Sequence, residues 1–167
     1  MRGCRADSPA VRAVGVGGNY DRAYRGGFVG KTHRFALRVY FEDTDVAGIV
    51  YYANYLRFME RARSDMLRAV GIDQRAAMEA GQGVYAVADV SIKYRGSAKL
   101  EDELVVVSEV VQVRAAACVI HQQVMRGEEI LTDARVTAAF ITNEGRPKRQ
   151  PRAWTQIFER LLVEGKE

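Results

Sequence analysis

Residues 38–72, RVYFEDTDVAGIVYYANYLRFMERARSDMLRAVGI, contain three unlike segments in succession. An alternating strand ends at Phe41. An acidic turn, Glu42-Asp43-Thr44-Asp45, follows and is relaxed by Gly48, and a long segment of helical period comes last. Stepping from Tyr55 by roughly 100° per residue, one broad apolar face collects Tyr55, Leu56, Phe58, Met59, Ala62, Met66, Leu67, Ala69 and Val70. Arg57, Arg61, Ser64, Asp65 and Arg68 fill the other face. Such a helix buries one side against something large, most simply a sheet. It starts just after the acidic turn, so its free N–H groups and positive dipole end point back towards the carboxylates. A carboxylate facing a helix N-terminus across a small gap is a place where a carbonyl can be polarised and attacked.

Upstream, Arg34 to Phe41 alternates, with Phe35, Leu37, Val39 and Phe41 on one side. Downstream, Gly71 stands where a helix stops, and Asp73 to Gln82 is a short helical or looping connection. Four strand signals follow. Val84 to Tyr94 sets Ala86, Ala88, Val90, Ile92 and Tyr94 on one face. Glu103 to Val113 is dense in valine, Ala116 to Met125 follows a tight break near Arg114, and Gly127 turns the chain into Ile130 to Ile141. Short breaks between consecutive strands favour antiparallel pairing. The expectation is an α+β domain, one long helix laid across an antiparallel sheet of about five strands. Trp154 to Leu162 adds a short terminal helix.

At 167 residues with 48% apolar content, the chain is the size of one globular domain. Residues 1–31 differ, being rich in Gly and Arg without apolar period, and read as an extension ahead of a domain at 32–167. They contain no unbroken secretory apolar core, and no stretch of the chain is long enough to span a bilayer, so the expected setting is cytoplasmic, without membrane insertion. The net charge of +4 is modest and the arginines are scattered rather than striped, which argues against a nucleic-acid partner. Cys4 and Cys118 form no metal or redox spacing.

Nothing in the chain spells HExxH, CxxC, a P-loop or GxSxG, and no metal site is expected from histidines that number two, His33 and His121. His121, mid-strand, reads as a hydrogen-bonded structural residue. That leaves carboxylates. Asp43 and Asp45 would point the same way in extended chain, and crowding would raise the pKa of one of them. Both also suit turn formation and helix capping. The residues alone do not choose between these roles.

Asp43-Thr44-Asp45, the run Gly48-Ile49-Val50-Tyr51-Tyr52, Asn54-Tyr55 and Glu60-x-Ala62-Arg63 together resemble the hotdog-fold acyl-CoA thioesterases. The similarity is to the 4-hydroxybenzoyl-CoA thioesterases and to those associated with the Tol-Pal envelope system. The element order matches from about Phe35 to Thr142, and residues 40–63 carry the specific part. The resemblance implies a hotdog fold, an antiparallel sheet wrapped around the central helix, working as a homodimer or homotetramer with the active site at the subunit interface. It implies hydrolysis of an acyl-CoA thioester, with an acyl carrier protein as a possible alternative carrier, and no cofactor beyond the CoA of the substrate.

The second aspartate of the motif is catalytic in the hydroxybenzoyl-CoA group and matches Asp45, leaving Asp43 to order the loop. The carbonyl-polarising donor falls on the backbone N–H of Tyr52, and substrate contacts on Gly48, Ile49 and Val50. Tol-Pal members commonly have histidine where Tyr52 stands, and Val46 replaces the proline of the hydroxybenzoyl type, so acyl preference stays open. A second hotdog type uses a helical glutamate, which would be Glu60; the competing reading is a local Glu60–Arg63 pair. Lys93 and Arg95, with Lys99, would meet CoA phosphates or simply be solvated. A non-catalytic acyl-CoA-binding or envelope-complex protein of the same fold is the alternative function. Asp45 with Gly48 argues against it, because a binder has no need of a carboxylate beside the carbonyl.

Overall fold

The computed structural model describes residues 27–163 and Gly165. Six strands form one antiparallel sheet in the order β1-β2-β4-β5-β6-β3. They are β1 (Gly27–Val29), β2 (Thr32–Arg38), β3 (Val84–Tyr94), β4 (Glu103–Arg114), β5 (Ala117–Arg126) and β6 (Glu129–Ile141). The long helix α1 (Asn54–Ala69) lies across one face. A short α2 (Gln74–Glu79) follows it, and α3 (Arg152–Leu161) closes the chain.

The strand that composition did not reveal is β1, which pairs with β2 through Phe28 opposite His33. Among the described residues the first element therefore starts at Gly27, inside the stretch read as an extension. Three residues are too few to display a period of two, which is why the boundary was set late. Residues 1–26 lie outside the described part.

Helix and sheet meet through side chains that the two periods select. Phe58, Met59 and Ala62 of α1 are fully buried against Leu37, Leu104, Val106, Val124 and Ala134 of the sheet. Burying each of the larger side chains is worth roughly 1.5–3 kcal/mol. Beyond them, Met66 and Leu67 join Val110, Ile120 and the α3 residue Phe158 in a second cluster. Gly71 ends α1 with φ +81°, where any side chain would be strained. The Ile72 N–H reaches Leu67 O at 2.9 Å and the Gly71 N–H reaches Arg68 O at 3.0 Å, the paired bonds of a Schellman stop. Asp73 then caps α2 by accepting from Ala76 N at 2.9 Å.

Two expected faces are corrected. The β2 alternation ends at Arg38, and Phe41 is 83% exposed rather than inward. The strand stops three residues short of Phe41, and the Asp43 carboxylate takes the Tyr40 N–H at 2.8 Å and folds the chain into a single 3₁₀ turn (Phe41–Asp43). In β3 a bulge between Val87 and Asp89 shifts the register. Tyr85 and Val87, opposite Phe140 and Ala138, thereby share the helix-side face with Val90, Ile92 and Tyr94, while Ala86 turns outward and Ala88 sits in the bulge. On α1, Leu56 and Ala69 are exposed despite their angular positions. The helix covers β2, β4 and β5 and leaves the β3 end of the sheet open, with Val87, Val90 and Tyr94 37–50% exposed.

Candidate active site

The loop from Tyr40 to Ala53 is held by one buried carboxylate. Asp43, 4% exposed, accepts from Tyr40 N at 2.8 Å and from Asn54 Nδ2 at 2.9 Å, and its carbonyl accepts from Tyr51 N at 2.9 Å. Both ends of the loop are thus tied to the first residue of α1. Between them the chain makes a tight reversal. The Asp45 N–H donates to Ile49 O at 2.9 Å, the Gly48 N–H donates to Asp45 O at 3.0 Å, and Thr44 bridges Val50. Gly48 has φ +74°, the left-handed geometry that makes glycine the natural residue there. Val50 is buried, its N–H on Ala98 O at 2.8 Å, and half-buried Ile49 bridges Lys99.

Asp45 is presented outward. Its Oδ1 accepts from Ala47 N at 2.8 Å, which fixes the side chain, while Oδ2 meets no protein donor among the described residues. The two aspartates of the motif therefore differ sharply: one is inside and saturated, the other exposed and half-free. A few residues on, Ala53 holds the N-cap position of α1, and its methyl side chain caps nothing. Among the described residues no acceptor meets the Tyr52 N–H, and the dipole of α1 adds partial positive charge at the same end. The Tyr52 carbonyl accepts from the Tyr94 hydroxyl at 3.1 Å, and the Tyr52 ring meets Tyr94 edge to face and lies tilted against Tyr51. Hydrogen bonding to Tyr52 is the chief cause pushing the Tyr51 hydroxyl up from its ordinary value, and the Asp45 charge adds to it. The carboxylate and the tyrosines thus share one field.

The loop brings Asp45, Gly48 and Tyr52 together, with Ile49 and Val50 as its inner wall. Lys93 and Arg95 are placed elsewhere. Lys93 lies opposite Asp133 on the outer face of the sheet, and Arg95 pairs with Asp133 at 3.1 Å. His121, on the same outer face, is held between Asp133 at 2.9 Å and Glu109 at 3.7 Å, as a structural histidine would be.

The expected Glu60–Arg63 contact is absent from the ion pairs of the described residues. Glu60 instead accepts from Ser64 Oγ at 2.8 Å, and Arg63 Nη1 reaches across to Gln122 Oε1 at 2.7 Å. Gln122 is fully buried and is itself fixed by donating to Ser108 Oγ at 2.8 Å and Met59 O at 3.1 Å. A glutamine at the inward position between Ile120 and Val124 was the available signal for this arrangement, because a polar residue in an apolar alternation needs a partner. Glu60, Arg63 and Ser64 form the polar mouth of a cavity of about 110 Å³ between α1 and the start of β3. Its apolar wall comes from Leu67, Tyr85, Val87, Val110, Ile120 and Phe158.

The sequence matches the thioesterase-like superfamily over residues 39–158. The chain belongs to that superfamily. The acyl-CoA thioesterase YbgC of Haemophilus influenzae is 41% identical over 107 residues, 64% of this chain and 79% of that protein. The acyl-CoA thioester hydrolase YbgC of Escherichia coli O6:H1 is 33% identical over 128 residues, 75% of this chain and 95% of its own. Among solved structures, a probable thioesterase from Bartonella henselae aligns with TM-score 0.69 at 33% identity, covering 72% of this chain and 99% of that one. A 1,4-dihydroxy-2-naphthoyl-CoA thioesterase from Synechocystis reaches TM-score 0.71 at 22% identity, over 76% and 95% of the two chains, a likeness of fold. This thioesterase-like chain therefore has the hotdog architecture, with α1 as the helix inside the sheet. No helix among the described residues is long and apolar enough to cross a membrane.

Proposed function

We propose that this protein hydrolyses acyl-CoA thioesters, with the Tyr52 amide polarising the thioester carbonyl and Asp45 supplying the base or nucleophile. One observation carries the reading: an exposed carboxylate with a free oxygen shares a short loop with an unpaired N–H at an uncapped helix N-terminus. The thioester carbonyl oxygen would accept from the Tyr52 N–H, and the helix dipole would stabilise the oxyanion as it forms. Asp45 Oδ2 then has two routes. It takes a proton from water, whose oxygen adds to the carbonyl carbon, or it adds directly and leaves an anhydride for water to open. In both, the tetrahedral centre collapses by breaking the C–S bond. A thiol of pKa near ~8.5 leaves without a strong acid to assist it.

The uncovered face of β3 supports assembly through that edge. Antiparallel self-pairing about the strand midpoint, Asp89, would set Val84–Val87 of one copy against Ser91–Tyr94 of a second. Tyr94 hydrogen-bonds the Tyr52 carbonyl, so the cavity of one copy would open beside the thioester position of the other. A homodimer, or a tetramer built from it, then has two composite sites.

The test is Asp45→Asn, which keeps shape but removes charge and nucleophile. Thiol release from acyl-CoA should fall by at least ~10²-fold, the scale for a positioned base. The melting temperature should hold, because the side chain is exposed. Full turnover by this variant, with loss on Glu60→Gln, would move the chemistry to the helix and overturn the assignment.

A further inference from the structure

Arg63 is a cation in an unusual place. It lines an apolar cavity of about 110 Å³, and its one hydrogen bond to a described residue goes to the neutral amide of Gln122 at 2.7 Å. No carboxylate lies within ion-pair distance of it among the described residues, and the Glu60 carboxylate is engaged by Ser64. Burial pushes the guanidinium below its ordinary value, with the Glu60 charge opposing the shift. A guanidinium carries five N–H donors in a rigid fork. With one spent on Gln122, the Nη2 and Nε donors find no acceptor among the described residues. Arg63 is half-buried and none of its nitrogens is both buried and unpartnered, so the donors left over by Gln122 face water in the cavity, where a ligand acceptor would have to replace it. The Gln122–Ser108–Met59 relay holds the fork in place, as a recognition group requires.

We propose that Arg63 is a specificity-determining residue for the acyl group: the cavity takes a short acyl chain carrying an oxygen acceptor, and that oxygen fills the idle donors of the guanidinium. This deepens the thioesterase reading and rests on it. Size sets the chain length. An apolar cavity of ~150 Å³ holds a benzene, so this one holds an acyl group of about four carbons. Phe158 and Leu67 are among its walls. Chemistry sets the acceptor. A plain alkyl chain entering the cavity would displace water from Arg63 and replace none of its hydrogen bonds, and a site built to bond an oxygen discriminates against the analogue lacking it. A hydroxyl and a carboxylate offer the same acceptor, one neutral and one anionic.

The experiment compares kcat/KM for butyryl-CoA, 3-hydroxybutyryl-CoA and succinyl-CoA in the full-length protein. An oxygenated substrate should be preferred over butyryl-CoA by at least ~10-fold, and the hydroxyl and carboxylate arms show which kind of oxygen is taken. In Arg63→Met that ratio should collapse towards one. In Arg63→Lys, which keeps charge but loses the fork, it should fall part of the way, and this variant carries the test if Arg63→Met does not fold. A residue that merely supports the fold would lower all three substrates together and leave the ratio intact. Butyryl-CoA hydrolysed as well as the oxygenated substrates, or a ratio untouched in both variants, overturns the assignment while leaving the thioesterase reading standing. No thiol release from any of the three overturns both.

Discussion

Asp43 and Asn54 meet at 2.9 Å across eleven residues of chain, and through this bond the loop bearing Asp45 is fastened to the first turn of α1. Asp43→Ala would leave the Tyr40 N–H and the Asn54 amide without acceptors in a buried place, at about 1–3 kcal/mol for each such group. The expected outcome is a lowered melting temperature together with reduced turnover, because Asp45 loses its position relative to the Tyr52 amide. Asp43→Asn should cost less turnover than Asp45→Asn. Thermal unfolding and thiol release measured on the same samples check both statements.

The open edge of β3 gives a second prediction. Val90, 37% exposed on the helix-side face, would lie near the centre of a β3–β3 contact. Val90→Arg adds a charge there and sets it against its own copy across the two-fold. Light scattering at micromolar concentration should show the wild type as a dimer or larger and the variant shifted to monomer, with turnover lost alongside. A wild-type monomer of full activity would refute assembly as a requirement of the site.

His33 predicts the pH response of stability. It is fully buried, its Nε2 lies 3.0 Å from Asp65 Oδ2, and its Nδ1 has no partner among the described residues. Burial lowers its pKa from the ordinary value of 6.5, outweighing the raising effects of Asp65. The unfolded chain therefore takes up a proton at a higher pH than the folded one. The contribution to stability is complete above about pH 6.5 and is lost as pH falls towards the folded value, by at most ~1.4 kcal/mol per pH unit. Denaturant midpoints between pH 8 and 5 should drop on the acid side, and His33→Phe should flatten that part of the curve.

The N-terminal boundary can be cut in two places with opposite results. A chain beginning at Gly27 should melt and turn over like the full-length protein. A chain beginning at Thr32 lacks β1, and with it the Phe28 ring that packs edge-on against His33 at 5.1 Å between centroids. That shorter chain should melt lower, since it exposes a buried imidazole and an open β2 edge. Equal melting temperatures for the two would deny β1 a structural role.

The long helix was legible in the sequence because its period repeats over four turns, enough to identify Phe58, Met59, Ala62 and Met66 as inward. Asp45, Gly48 and Tyr52 are grouped by the resemblance to the hotdog thioesterases rather than by any pattern of the residues alone, and they lie within one loop. What stayed hidden depended on neighbours distant in the chain. The run Tyr85-Ala86-Val87-Ala88 is small or apolar in both phases, so nothing local shows where β3 bulges, and its register is set by β6. Arg63 finds Gln122 fifty-nine residues away rather than Glu60 one turn back, because β5 passes beneath that side of the helix. Lys93 and Arg95 were grouped with the site by their charge. Strand alternation sends Lys93 to the face away from Tyr94, and Arg95 swings to Asp133 on that same outer side. The cavity wall at Phe158 exists because α3 docks on the far end of the sheet, an event that no local pattern announces.

Ala53 at the head of α1 leaves this protein with an unfinished helix. A serine or aspartate there would accept from an amide of the first turn and add about 0.5–2 kcal/mol of stability. The helix start is instead closed by its own backbone, Asn54 N–H on Tyr51 O at 2.8 Å and Leu56 N–H on Ala53 O at 3.2 Å, so the end of the helix nearest the Asp45 loop carries its dipole without a side chain laid across it.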